Sequence, residues 1–144
     1  TMEIIDRIIA LDPVSGAELA VRKAEILLYE LGQGEDAAAF VSEMIQGPYA
    51  EDSETLLRFS TMMSGEVDPG PEGRQAAVEA ASLAVEIIGD EPNALAQLGH
   101  AQFVAGDVQD AIDTMIRARD LCSEDSGMYG VLDDLVGEYQ RSND

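Results

Sequence analysis

The chain has 144 residues, 46% of them apolar, and sets 29 Asp and Glu against eight Lys and Arg, a formal charge of −21. That length and apolar share fit one domain with a usable core and exclude a disordered polymer. The charge repels phosphate backbones and anionic lipid, so neither nucleic acid nor a membrane surface is an expected partner.

Only one of the cations is a lysine, Lys23, a balance suited to salt-rich surroundings. The chain holds one cysteine, Cys122, and one histidine, His100. A structural zinc site takes about four such ligands and a disulfide takes two cysteines, so neither is expected within one chain, and no cofactor is implied. No apolar run approaches the ~20 residues of a membrane span, and no basic-then-apolar leader opens the sequence. A cytoplasmic location is the expectation for the chain as it stands. The chain begins on Thr1, which is expected of a processed product or of a piece of a longer protein.

Helical periodicity runs through nearly the whole sequence, and breakers divide it into about eight segments. The first spans 2–11, with Ile4, Ile5, Ile8 and Ile9 as its stripe, and ends at Asp12-Pro13. The second is expected to open at Ser15, paired with Glu18 in a capping box, and to run through 17–31 to the Gly32-Gln33-Gly34 stop. The third covers 35–45, with Phe40, Met44 and Ile45 facing the core, and Gly47-Pro48 breaks it. The fourth starts near Ser53 and carries Leu56, Leu57, Phe59, Met62 and Met63. Residues 65–73, with two prolines and three glycines, read as a loop. The fifth segment spans 74–88. The sixth starts at Pro92, a favoured first-turn residue, and ends before Gly106-Asp107. The seventh covers 108–121 and the eighth 127–139, before a polar tail, 140–144. Helices of this length on short loops form antiparallel hairpins, leaving a closed bundle or a stacked solenoid.

Repetition decides between those two. Ala77, Ala81, Ala84 and Ile87 recur 34 residues later as Ala111, Met115, Ala118 and Leu121, and Leu95 and Leu98 recur as Tyr129 and Leu132. Around them stand Gly99 and the Gly106-Asp107 turn. Segment 93–125 thereby resembles the tetratricopeptide repeat, whose period is about 34 residues. Pair 53–88 fits in degenerate form if about five extra residues sit in the loop 65–73, with Leu56, Phe59 and Ser60 standing where Leu95, Leu98 and Gly99 stand. Pair 17–46 fits weakly, because Lys23 falls where the family has Leu. Helices 2–11 and 127–139 are end caps. The resemblance implies a single all-α domain over 1–144, a right-handed α-α superhelix of antiparallel pairs. More narrowly, the arrangement is similar to helical regions that follow thioredoxin-like domains in some bacterial proteins. The two-cysteine redox motif of those domains is absent, so their chemistry would lie outside this chain.

The family's first helices line a concave groove that holds peptides. By position, Asn93, Ala96, His100, Phe103 and Val104 would face it, with Glu54, Leu57, Thr61 and Ser64 from the preceding pair and Asp134 and Glu138 from the last helix. The cations with which the family clamps acidic peptide tails are missing, so the groove, if open, should take a neutral or basic peptide or protein surface. A groove filled by an end helix or by a second copy of the chain is the competing expectation. His100 has no nucleophile to serve and reads as a surface hydrogen-bonding residue, Cys122 as a packed thiol, and Met62, Met63 and Met115 as core. The acidic clusters, such as Glu51-Asp52 and Asp133-Asp134, lack calcium-loop spacing and read as solvated surface. A protein-interaction module is the leading expectation, an auxiliary or dimerisation domain of a larger thioredoxin-like protein the alternative, and an enzyme the least supported.

Overall fold

A computed structural model describes residues 2–143; Thr1 and Asp144 lie outside the described residues. The described chain is all-helical: α1 (Met2–Leu11), α2 (Pro13–Glu25), prolonged by a π-helical turn (Ile26–Glu30), α3 (Gly34–Gln46), α4 (Ser53–Met63), α5 (Pro71–Ile88), α6 (Pro92–Val104), α7 (Val108–Asp120) and α8 (Gly127–Ser142). No strand occurs among the described residues.

Several boundaries differ from the sequence expectation, each for a local reason. The Ser15–Glu18 capping box does not form. Asp12 caps α2 instead, its carboxylate accepting from the Ser15 N–H at 3.3 Å, and Pro13 supplies the first helical residue. Proline at that position has no N–H to leave unsatisfied and its φ is already helical, so Asp12-Pro13 starts a helix as much as it ends one. For the same reason α5 begins at Pro71 rather than at residue 74, which draws Gly73 into the helix. The expected tail is partly helical as well, since α8 continues to Ser142.

Most helices pack chiefly on a neighbour in sequence, but α3 rests mainly on α5 and only lightly on α4; in addition α2 rests on α4 and α4 on α6. One row is therefore α2, α4 and α6, and α3 and α5 lie together behind it. Tyr49, just before α4, donates its hydroxyl to the Pro13 carbonyl oxygen at 2.9 Å, and Tyr29, near the end of α2, reaches the Met62 carbonyl oxygen at 3.4 Å. These two ties show that α2 and α4 run side by side in the same direction.

Small residues set how closely the helices approach. Ala76, Ala77, Ala80, Ala81 and Ala84 of α5 are all buried, a spine on which α3, α4 and α6 rest. Gly99 plays the same part in α6, where the Met115 side chain of α7 passes over it. The apolar interior forms two clusters. The larger joins α1 to α5, with Ala101 of α6, around Phe59, Met63, Ile45 and Tyr49, and the smaller joins α6, α7 and α8 around Leu95, Met115, Leu132 and Tyr139.

Lys23, which departs from the repeat pattern, has a structural account. Its ammonium pairs with Asp6 of α1 at 2.6 Å and sits 4.4 Å from the centroid of the Phe40 ring of α3. The aliphatic stem packs where Leu would, while the charged head joins three helices.

Loop 65–70 is pinned rather than free. Pro69 is buried, between Gly34 at the start of α3 and Gly73 in the first turn of α5. A methyl group on Gly34 would lie 2.6 Å from the Pro69 carbonyl oxygen, and one on Gly73 would lie 2.3 Å from its Cβ. Both glycines are there because nothing larger fits beside the proline.

Candidate functional site

The exposed face of the row α2, α4, α6 carries the candidate site, and its two ends differ. At the α2–α4 end lies an open groove of 640 Å³, lined by Val21, Glu25, Tyr29, Glu54, Leu57, Arg58, Thr61, Met62 and Gly65. Val21 and Met62 form a buried apolar floor, Leu57 is half-buried, and Tyr29 makes a wall that is 46% exposed. Helical spacing explains the set. Val21 and Glu25 stand four apart on α2, Tyr29 follows four further on, and Glu54, Leu57, Arg58 and Thr61 share one face of α4. Tyr29 lies in the π-helical turn, where the Leu31 N–H donates to the Ile26 carbonyl oxygen (2.9 Å), five residues back. Such turns widen the helix locally and are frequent at functional sites. Burial first, and the nearby Glu25 carboxylate second, push the Tyr29 phenol above its ordinary pKa, so it stays a neutral hydrogen-bonding group.

The rim carries both signs. Glu25 pairs with Arg22 at 3.4 Å, and Arg22 also holds Glu30 at 2.8 Å. Among the described residues Glu54 and Arg58 make no ion pair. Glu54 lies in the first turn of α4, one turn before Arg58.

Between α4 and α6 the face is closed by a polar seam. Gln97 donates through Nε2 to the hydroxyl oxygens of Ser60 (3.0 Å) and Ser64 (3.2 Å), and Ser64 donates to the Ser60 carbonyl oxygen at 2.7 Å. His100 Nε2 lies 3.0 Å from the Ser64 carbonyl oxygen. Since that oxygen can only accept, Nε2 carries the proton in this arrangement. The histidine is an exposed hydrogen-bonding group, and it makes no hydrogen bond to Asp134.

At the α6–α8 end, Phe103 stacks on Tyr139 of α8, ring centroids 4.1 Å apart and planes 6° from parallel. That half of the face is occupied by the chain's own last helix. Burial, and secondarily Glu138, raise the Tyr139 phenol above its usual range.

The residues assigned to one groove from the sequence thus fall in different places. Leu57, Thr61 and Glu54 line the open groove, whereas Ser64 and His100 belong to the seam beside it. Ala96 is half-buried against the α6–α8 cluster, and Phe103 is covered by Tyr139. Val104 looks onto the loop, in a recess of 380 Å³ with Asp68, Pro69 and Arg74. Asn93, Asp134 and Glu138 are exposed. Val21, Glu25, Tyr29 and Arg58 lie outside the sequence expectation, although the four-residue spacing of Val21, Glu25 and Tyr29 marks three of them. Cys122 is half-buried, its Sγ 3.5 Å from the Ala118 carbonyl oxygen, and Met62, Met63 and Met115 are buried.

No group of His, Cys, Asp and Glu side chains able to hold a metal ion occurs among the described residues, and no helix among them is long and apolar enough to cross a membrane. No protein-family model matches the chain, and a search of curated proteins finds no match.

Proposed function

We propose that the chain is a protein-interaction module built as a tetratricopeptide-like superhelix, and that it docks a neutral or basic segment of another protein on the α2–α4 end of its concave row. The observation that carries this reading is the contrast between the two ends. One has an apolar floor open over 640 Å³, and the other is filled by Tyr139. Apolar grooves between parallel helices accept amphipathic segments by burying one face of them. The chain's −21 charge favours cationic partners over anionic ones during encounter. The parallel run of α2 and α4 and the Gly99–Met115 close approach support the superhelix.

A peptide array probed with the protein at low and high salt tests it. Captured sequences should be apolar with Lys or Arg flanks, and capture should weaken as salt screens the flanks. Enrichment of acidic peptides, or no enrichment over scrambled sequences, would refute the reading.

A further inference from the structure

We propose that the α2–α4 groove is a polarised receptor for one short amphipathic helix, its apolar stripe seated on Val21 and Leu57 against Tyr29 and its basic end lying over Glu54. This deepens the interaction reading and rests on it. The two walls are parallel helices, so the space between them runs as a channel along their common direction, a shape that a third helix fills.

The charges along that channel are unequal. Along its middle and toward Tyr29, Arg22 is shared between Glu25 (3.4 Å) and Glu30 (2.8 Å), and Arg58 also lines the channel. At the other end Glu54 stands without an ion-pair partner among the described residues. A cation over Glu54 gains a partner, whereas a cation in the middle of the channel meets Arg58. The preferred ligand therefore carries its Lys or Arg at one end only, with neutral residues between that end and the aromatic wall.

The chain contains no tryptophan, so the emission of a tryptophan placed in a peptide reports the ligand alone. The probe is a short amphipathic peptide with a Leu/Trp stripe and a lysine pair at one end, compared with a twin in which glutamines replace the lysines. Glu54→Gln should weaken the lysine peptide about two- to fivefold and leave the glutamine twin unchanged. Leu57→Asp should weaken both more than about tenfold. Thr61→Arg, at an exposed position, provides the same block should Leu57→Asp fail to fold. Asp134→Asn, on α8, should change nothing. The polarised receptor is overturned if Glu54→Gln affects both twins alike, or if neither blocking variant reduces binding. In the latter case salt-sensitive binding of the lysine peptide would still support the broader interaction reading on another acidic surface. If neither peptide binds, both readings fall.

Discussion

Replacing glycines by alanine at four helical positions tests the packing, because one chemical change meets a different neighbour at each. In a helix interior the exchange stabilises by about 0.8–1.0 kcal/mol through the lost backbone freedom of glycine. Gly137, in the middle of α8, has only the flexible Arg141 guanidinium near the new methyl, at 3.4 Å, and Gly130 has nothing within 4 Å. Both variants should gain most of the helical term, raising Tm by about 3 °C for a chain of this size. At Gly99 the methyl meets the Met115 side chain at 3.1–3.2 Å. Methionine can turn aside, at a cost similar to the gain, so the net change should be close to zero.

Gly73 is the decisive position. Its methyl would lie 2.3 and 2.5 Å from Pro69 Cβ and Cγ and 3.0 Å from Met63 Cε. A proline ring cannot rotate away, and this one is held from the other side by Gly34, whose own methyl would strike the Pro69 carbonyl oxygen. Overpacking of this kind costs about 1–3 kcal/mol. With backbone forced to move, the upper end applies, and subtracting the helical gain leaves about 2 kcal/mol of destabilisation. Thermal and urea unfolding followed by far-ultraviolet circular dichroism give the four values. If Gly73→Ala stabilises as Gly137→Ala does, Pro69 is not wedged between the two helix starts and the account of the loop is wrong.

Two further outcomes follow from other parts of the structure. Asp68 is held below the usual carboxylate range first by the Gly70 N–H (2.9 Å) and then by the Arg74 guanidinium (2.6 Å). Its folded pKa lies below the unfolded value of about 3.9, so its stabilisation is complete above that pH and lost as pH falls through the folded value. The Tm gap between wild type and Asp68→Asn should therefore hold steady at neutral pH and narrow below about pH 4; a gap that persists in acid would show that the charge is irrelevant. Tyr139→Ala should cost about 3–5 kcal/mol by emptying the stack on Phe103. Amide hydrogen exchange should rise in α6–α8 and leave α1–α4 nearly unchanged, because the two apolar clusters are separate; uniform loosening would mean that they act as one.

Much of this was legible in the sequence wherever spacing or a breaker carried the information. The eight helices came from periodicity, and the Gly106 turn from a residue that tolerates φ = 92°. The failures have specific causes. Asp12-Pro13 does end α1, but the same pair is also the cap and first-turn proline of α2, which the Ser15–Glu18 pattern masks. The π-helical turn leaves no mark in the apolar pattern, because it adds one residue to a turn without changing residue types. Tyr139 on Phe103 joins residues 36 positions apart across α7 and its two flanking loops, a contact that no local period encodes.

The two ends of the row are shaped by different residues. In segment 93–125 Gly99 and Ala111 let α6 and α7 approach closely, and the chain's last helix follows and fills the face with Tyr139. Segment 17–46 is built differently, with Lys23 on one side of it and a π-helical turn at Tyr29 on the other. Lys23 turns toward α1 and α3 and is spent on Asp6 and Phe40, away from the groove lining. The π-helical turn carries Tyr29 to the edge of α4, where its hydroxyl meets the Met62 carbonyl oxygen at 3.4 Å and its ring walls the channel. Lys23 thus braces the first pair from behind, and Tyr29 shapes its open side. Substitution should act unequally on the two: Lys23→Leu touches the α1–α3 side, whereas Tyr29→Ala removes a groove wall and leaves Lys23 in place.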